Sequence, residues 1–143
     1  MKKPLVPAGQ SRVSTRLPLN LFAVPFGLAG LASSWDAARQ VTGGPVEVGF
    51  AFWLIALVVW LVIVGLFAWR AHRSTTGSIA SDLRNPVTGP FAALAPLVGI
   101  MLAAHFGPLL PGAAIPAALA FLAVCAAIAA MLGAFWLRGE ANP

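Results

Sequence analysis

Residues 48–69 read VGFAFWLIALVVWLVIVGLFAW, without one Asp, Glu, Lys or Arg. A helix needs roughly 20 mostly apolar residues to cross the hydrocarbon core of a bilayer. This stretch supplies them without interruption, and it does not alternate as a half-buried strand would. Working outward, three further apolar stretches have similar length: residues 17–35 (LPLNLFAVPFGLAGLASSW), 87–106 (VTGPFAALAPLVGIMLAAHF) and 115–137 (IPAALAFLAVCAAIAAMLGAFWL). The first is the most diluted, by Pro18, Asn20, Pro25 and two glycines. Neighbouring helices can re-satisfy the backbone groups that a proline frees. The expectation is an all-α integral membrane fold of four transmembrane helices arranged as two hairpins. A polar segment, 1–16, precedes the membrane domain, 17–137, and a short tail, 138–143, follows it.

Composition agrees. The chain of 143 residues is 59% hydrophobic and 9% charged, with mean hydropathy +0.88. Soluble domains carry roughly a quarter charged residues, so this chain could not cover a water-facing surface. A net charge of +5 could suggest nucleic acid. The basic residues are instead scattered over short segments between apolar runs and build no basic face, so a nucleic-acid partner is not expected. Lys2 and Lys3 do not open a cleavable secretory signal, because a long mixed segment follows and the next apolar run is broken by Pro25, Gly27 and Gly30. Cys125 is the single cysteine and lies in an apolar run, which reads as packing.

The flanks set the orientation. Lys2, Lys3, Arg12 and Arg16 precede the first span, while Arg70, Arg73 and Arg84 lie between the second and third, and Arg138 follows the fourth. The first loop holds Arg39 alone, beside Asp36 and Glu47, and the third loop, GPLLPG, carries no charge. Placing both termini in the cytoplasm puts every basic residue but Arg39 inside, as the positive-inside rule requires. Trp35 and Trp53 then fall at outer span ends, and Trp69 and Trp136 at inner ends. A multi-pass protein of the plasma (cell inner) membrane follows.

The spans are not alike. The first and third are short and interrupted, by Pro18, Pro25, Gly27 and Gly30 and then by Pro90, Pro96 and Gly99; the second and fourth are smooth. This is a weak internal repeat of about 70 residues, and matching Gly/Pro-broken segments in repeated units point to a transport pathway. Each residue taken singly reads as a kink or a close packing contact. Pro25, Gly27, Gly30, Pro96 and Gly99 are therefore pore-lining candidates, and Phe22 and Phe91, on the same two spans, are counted with them. Ala126, Ala130 and Ala134 form a small-residue stripe on the fourth span, which serves a close helix approach or reflects an alanine-rich composition.

Little else in the spans carries chemistry. His105 sits at the outer end of its span and reads as interfacial; His72 lies among loop arginines. On opposite sides of the bilayer these histidines cannot share a haem. No membrane-embedded carboxylate supports proton-coupled cation export, and neither a catalytic triad, HExxH nor a phosphate-binding loop is present. No enzyme activity, metal or cofactor is expected. Arg70, Arg73 and Arg84 would concentrate anions at a cytoplasmic pore mouth, or they serve orientation alone.

Two stretches resemble the tellurite-resistance/C4-dicarboxylate transporter family, which includes the plant guard-cell slow anion channels. The first helix of the family is similar at Phe22, Pro25, Gly27, Leu28, Leu31 and Trp35, and the third at Pro86, Val87, Phe91 and Pro96. The resemblance implies a pore of ten helices in five hairpins, with kinked odd helices inside and even helices outside. It implies a homotrimer of separate pores passing small inorganic anions, dicarboxylates, or sulfite and tellurite oxyanions. The chain corresponds to two of those hairpins, so it reads as a truncated N-terminal part or one piece of a split protein lacking its C-terminal helices. The family's gating phenylalanine lies on the fifth helix and has no counterpart here. The competing reading is a non-transporting membrane interaction subunit.

Overall fold

The computed structural model describes residues 18–73 and 87–138. Four α-helices are present among them: α1 (Ala23–Thr42), α2 (Val46–Arg73), α3 (Leu94–Phe106) and α4 (Pro111–Leu137). No strand occurs among the described residues. With the short 3₁₀ turns that precede or follow them, the helices give four segments long and apolar enough to cross a membrane: Leu19–Thr42, Val46–Arg73, Gly89–Leu109 and Pro111–Phe135. The chain is an all-α membrane protein.

The alternation read from proline and glycine takes a specific form. The first and third spans open with 3₁₀ turns, Leu19–Phe22 and Gly89–Ala93, before becoming α-helical. The second and fourth are continuous helices of 28 and 27 residues. Pro25 and Pro96 each occupy the third position of their α-helix. Both prolines thus stand just past the tight 3₁₀ start, where the chain passes into α-helix, rather than in the middle of the span. The fourth helix begins ahead of residue 115, at Pro111, which leaves Pro116 inside it.

The first helix also outruns its apolar stretch. It passes Trp35 and continues to Thr42, where Gly43 adopts φ 70° and donates its N–H to the Arg39 carbonyl at 2.8 Å. A left-handed residue at this place is the common way to end a helix, and glycine takes it without strain. Asp36 and Arg39, read above as loop residues, are therefore helical. Ser33, Ser34 and Thr42 return their hydroxyls to the carbonyls of Ala29, Gly30 and Ala38 at 2.9–3.0 Å. Such bonding back to the preceding turn satisfies polar groups that lipid would leave bare.

Helix α1 packs along α2 and α3 along α4, and the hairpins meet mainly through α1 and α3. Two apolar clusters hold them. One is built on Ala29, Ala32, Trp53, Ala56, Val98 and Leu102, where three fully buried alanines bring the backbones close. The other, nearer the 3₁₀ starts, joins Leu19, Phe22, Ile63 and Ala92, with Phe91 and Ile128 against it. Trp60 bridges helices from α2: its Nε1 donates to the Ala95 carbonyl on α3 at 2.7 Å, and its ring meets Phe121 of α4 edge-on at 5.7 Å.

Candidate functional site

Polar side chains converge at one end of the bundle, where the short connections α1–α2 and α3–α4 lie. Asp36 is the centre. Its Oδ2 accepts a hydrogen bond from Trp53 Nε1 of α2 at 2.9 Å, and its Oδ1 accepts one from Arg39 Nε, one turn along α1, at 3.3 Å. His105, in the last turn of α3, places Nδ1 3.8 Å from Asp36 Oδ2. That is too long for a direct hydrogen bond but close enough for the two groups to feel each other's charge. The imidazole lies parallel to the Trp53 indole, centroids 4.3 Å apart and planes 17° apart, with Phe106 edge-on at 4.9 Å.

Packing explains why a carboxylate can sit here. Asp36 approaches α2 at Gly49, where an added Cβ would come within 2.6 Å of Asp36 Oδ1 and 3.0 Å of Trp35. Any larger residue there would have to displace the carboxylate. The Asp36 and His105 side chains remain 26% and 24% exposed, and Arg39 37%, so the group is wetted from one side. An open cleft of about 420 Å³ borders it, lined chiefly by Ser33, Asp36 and Gln40 of α1, Trp53 of α2, and Met101 and His105 of α3. Liquid water occupies about 30 Å³ per molecule. The cleft therefore has room for a small anion together with several waters.

Sequence reading singled out His105 and Trp53 separately and placed Asp36 in a loop. It missed their convergence. The available signal was Ser33, Asp36 and Gln40, spaced three and four apart and so on one face of a helix continuing past Trp35.

The pore-lining candidates divide. Phe22 and Pro25 are buried between helices, Phe22 with its ring 5.1 Å from that of Phe67. Pro96 and Gly99 are buried as well, and an added Cβ on Gly99 would stand 2.8 Å from the Phe121 ring. Phe91 is half-buried against the second apolar cluster. Gly27 and Gly30 border open space on α1. At the opposite end of the bundle Arg73 lies over the Trp69 ring, 4.0 Å from its centroid, and Arg70 is half-buried. Arg84 lies outside the described residues. On α4, Ala126 and Ala130 are exposed and Ala134 half-buried, while Cys125 directs its thiol to the Ala93 carbonyl of the third span, within the same hairpin, at 3.7 Å. Cys125 thus packs, as its apolar setting suggests.

No curated protein and no solved structure matches the chain. The pattern of the voltage-dependent anion channel family matches residues 16–140, nearly the whole sequence and all four helices, and the chain belongs to that family.

Proposed function

We propose that the protein forms part of a membrane pathway for small anions, with α1 and α3 lining the route and α2 and α4 behind them. Membership of an anion channel and transporter family over residues 16–140 carries this reading. Two features of the molecule support it. Helices α1 and α3 are the pair that begin in 3₁₀ turns, the kind of irregular backbone tolerated at membrane depth only beside protein or water. The polar cleft also opens between α1 and α3, not on the α2 or α4 flank. Gly27 and Gly30, open on α1, are the lining positions of choice.

The cargo proposed from the resemblance is a small inorganic anion, a C4 dicarboxylate, or a sulfite or tellurite oxyanion. The site is the plasma membrane, and the working form is an assembly, a homotrimer or a complex with further helices of the same fold. Arg70 and Arg73 would raise the anion concentration at the cytoplasmic mouth. Purified protein in proteoliposomes tests this directly. Chloride, nitrate, sulfite and malate efflux is compared with that of protein-free vesicles. Flux of at least one anion is expected; none for any of them, from protein shown to be helical and inserted, sinks the reading. That result would favour the non-transporting subunit, for which the mostly exposed apolar flank of α4 is the suitable surface.

A further inference from the structure

We propose that Asp36, Arg39, Trp53 and His105 build a small-anion binding site at the outer mouth of the pathway, and that protonation of His105 charges it. The proposal deepens the anion-pathway reading and rests on it for the identity of the ligand.

Charge is the first reason. Asp36 is held by Arg39 at 3.3 Å, so its negative charge is already offset within α1. With His105 neutral the three groups sum to zero, and with His105 protonated they sum to +1. The other ionisable group at this end is Glu47, exposed in the first turn of α2, and α4 brings no Asp, Glu, Lys, Arg or His. Among the described residues Arg39, already paired with Asp36, is the one other cation at this end, so His105 alone can change the charge of the cleft. Histidine is also the side chain whose charge ordinarily changes between about pH 5 and 8.

Geometry is the second. Trp53 presents its ring face to the imidazole at 4.3 Å, and an aromatic face attracts a cation at that distance. Asp36 Oδ2 stands 3.8 Å from Nδ1, the ring nitrogen turned toward α1. Protonated imidazole donates from both nitrogens. Nδ1–H then faces Asp36, and Nε2–H remains for an anion, with Gln40 of α1 lining the same cleft. Asp36 is a positioning residue here: it holds Trp53 and Arg39 and orients His105, while His105 is the ligand.

The test uses the full chain in lipid nanodiscs and a readout that does not depend on transport. The indole N–H resonance of Trp53, assigned by its loss in Trp53→Phe, reports a group bonded to Asp36 and stacked on His105. Chloride and malate are titrated at about pH 5.5 and about pH 7.5, on either side of the ordinary imidazole value. Saturable shifts are expected at the lower pH, with binding weaker by about fivefold or more at the higher, as loss of one charge at about 4 Å implies even in water-like surroundings. His105→Gln should remove the pH dependence, and Arg39→Gln should weaken binding at both pH values without removing it. Equal shifts at both pH values, or pH-dependent shifts surviving in His105→Gln, would overturn the proposal. Because His105→Gln also loses the stacked ring, Asp36→Asn serves as a second variant. Its amide oxygen can still accept from Trp53, and with Arg39 no longer offset it should bind anions at about pH 7.5 as well; failure to do so counts against the charge account. Anion flux that is insensitive to external pH while Trp53 shows no titration would leave the pathway reading intact and remove this site. Trp53 binding without flux would do the reverse.

Discussion

Gly49 and Gly99 are each the narrow point of one hairpin, and each has a different neighbour to displace. At Gly99 the obstacle is the Phe121 ring, 2.8–2.9 Å from where a Cβ would stand. Overpacking of this kind costs about 1–3 kcal/mol, so Gly99→Ala should lower the midpoint of unfolding in mixed detergent micelles. Phe121→Leu in the same chain should recover most of the loss; no recovery would mean that the ring is not the obstacle. At Gly49 the obstacle is Asp36 itself. Gly49→Ala should push the carboxylate off Trp53 Nε1 and weaken the Trp53–His105 stack, visible as a shifted Trp53 indole resonance. An unchanged resonance in a folded variant would show that Asp36 does not depend on the close approach. Trp60 differs from both because its polar tip is spent on the Ala95 carbonyl. Interhelical hydrogen bonds in membranes average about 0.6 kcal/mol and reach about 1.7 kcal/mol. Trp60→Phe should cost about that much plus the lost edge contact with Phe121, measured by the same unfolding assay.

At the scale of the element, the ends of helices decide what the site contains. Apolar composition marked where lipid begins, and it located all four helices. It could not locate the end of α1, because a helix stops where its backbone is capped and not where its side chains turn polar. Gly43 supplies the cap with φ 70°. An alanine in the left-handed region costs about 1–2 kcal/mol. Gly43→Ala should therefore destabilise the α1–α2 hairpin by about that amount, with exchange protection lost first in the amides of residues 39–42. Protection unchanged there would mean that the end of α1 does not rest on Gly43. The prolines teach the complementary lesson. Their pairing in the first and third spans was legible as a repeat. Their effect was not, since nothing in the sequence marks where a 3₁₀ start passes into α-helix, the place that Pro25 and Pro96 occupy. The convergence of Asp36, Trp53 and His105 lay beyond the sequence for a further reason. It joins three helices across long separations, and only the burial of Ala29, Ala32, Ala56 and Val98 in one seam sets them in register.

For the whole molecule, sidedness connects the fold to its proposed role. The polar cleft lies at the end carrying both short connections, while Arg70 and Arg73 close α2 at the other. Basic residues near span ends are retained in the cytoplasm, so the cleft should open to the outside. Single cysteines placed by Gly44→Cys in the α1–α2 connection, by Gly112→Cys at the start of α4, and by Arg73→Cys at the end of α2 test this in a Cys125→Ala background. With a membrane-impermeant maleimide, the first two should label in intact cells and the third only after permeabilisation. The reverse pattern would invert the topology. His105 would then sense cytoplasmic rather than external acidity, with the geometry around it unchanged. Labelling of all three in intact cells would show a protein not inserted as a bundle, and neither an outer cleft nor a cytoplasmic arginine mouth could be maintained. The outcome therefore fixes which compartment's pH controls the anion site.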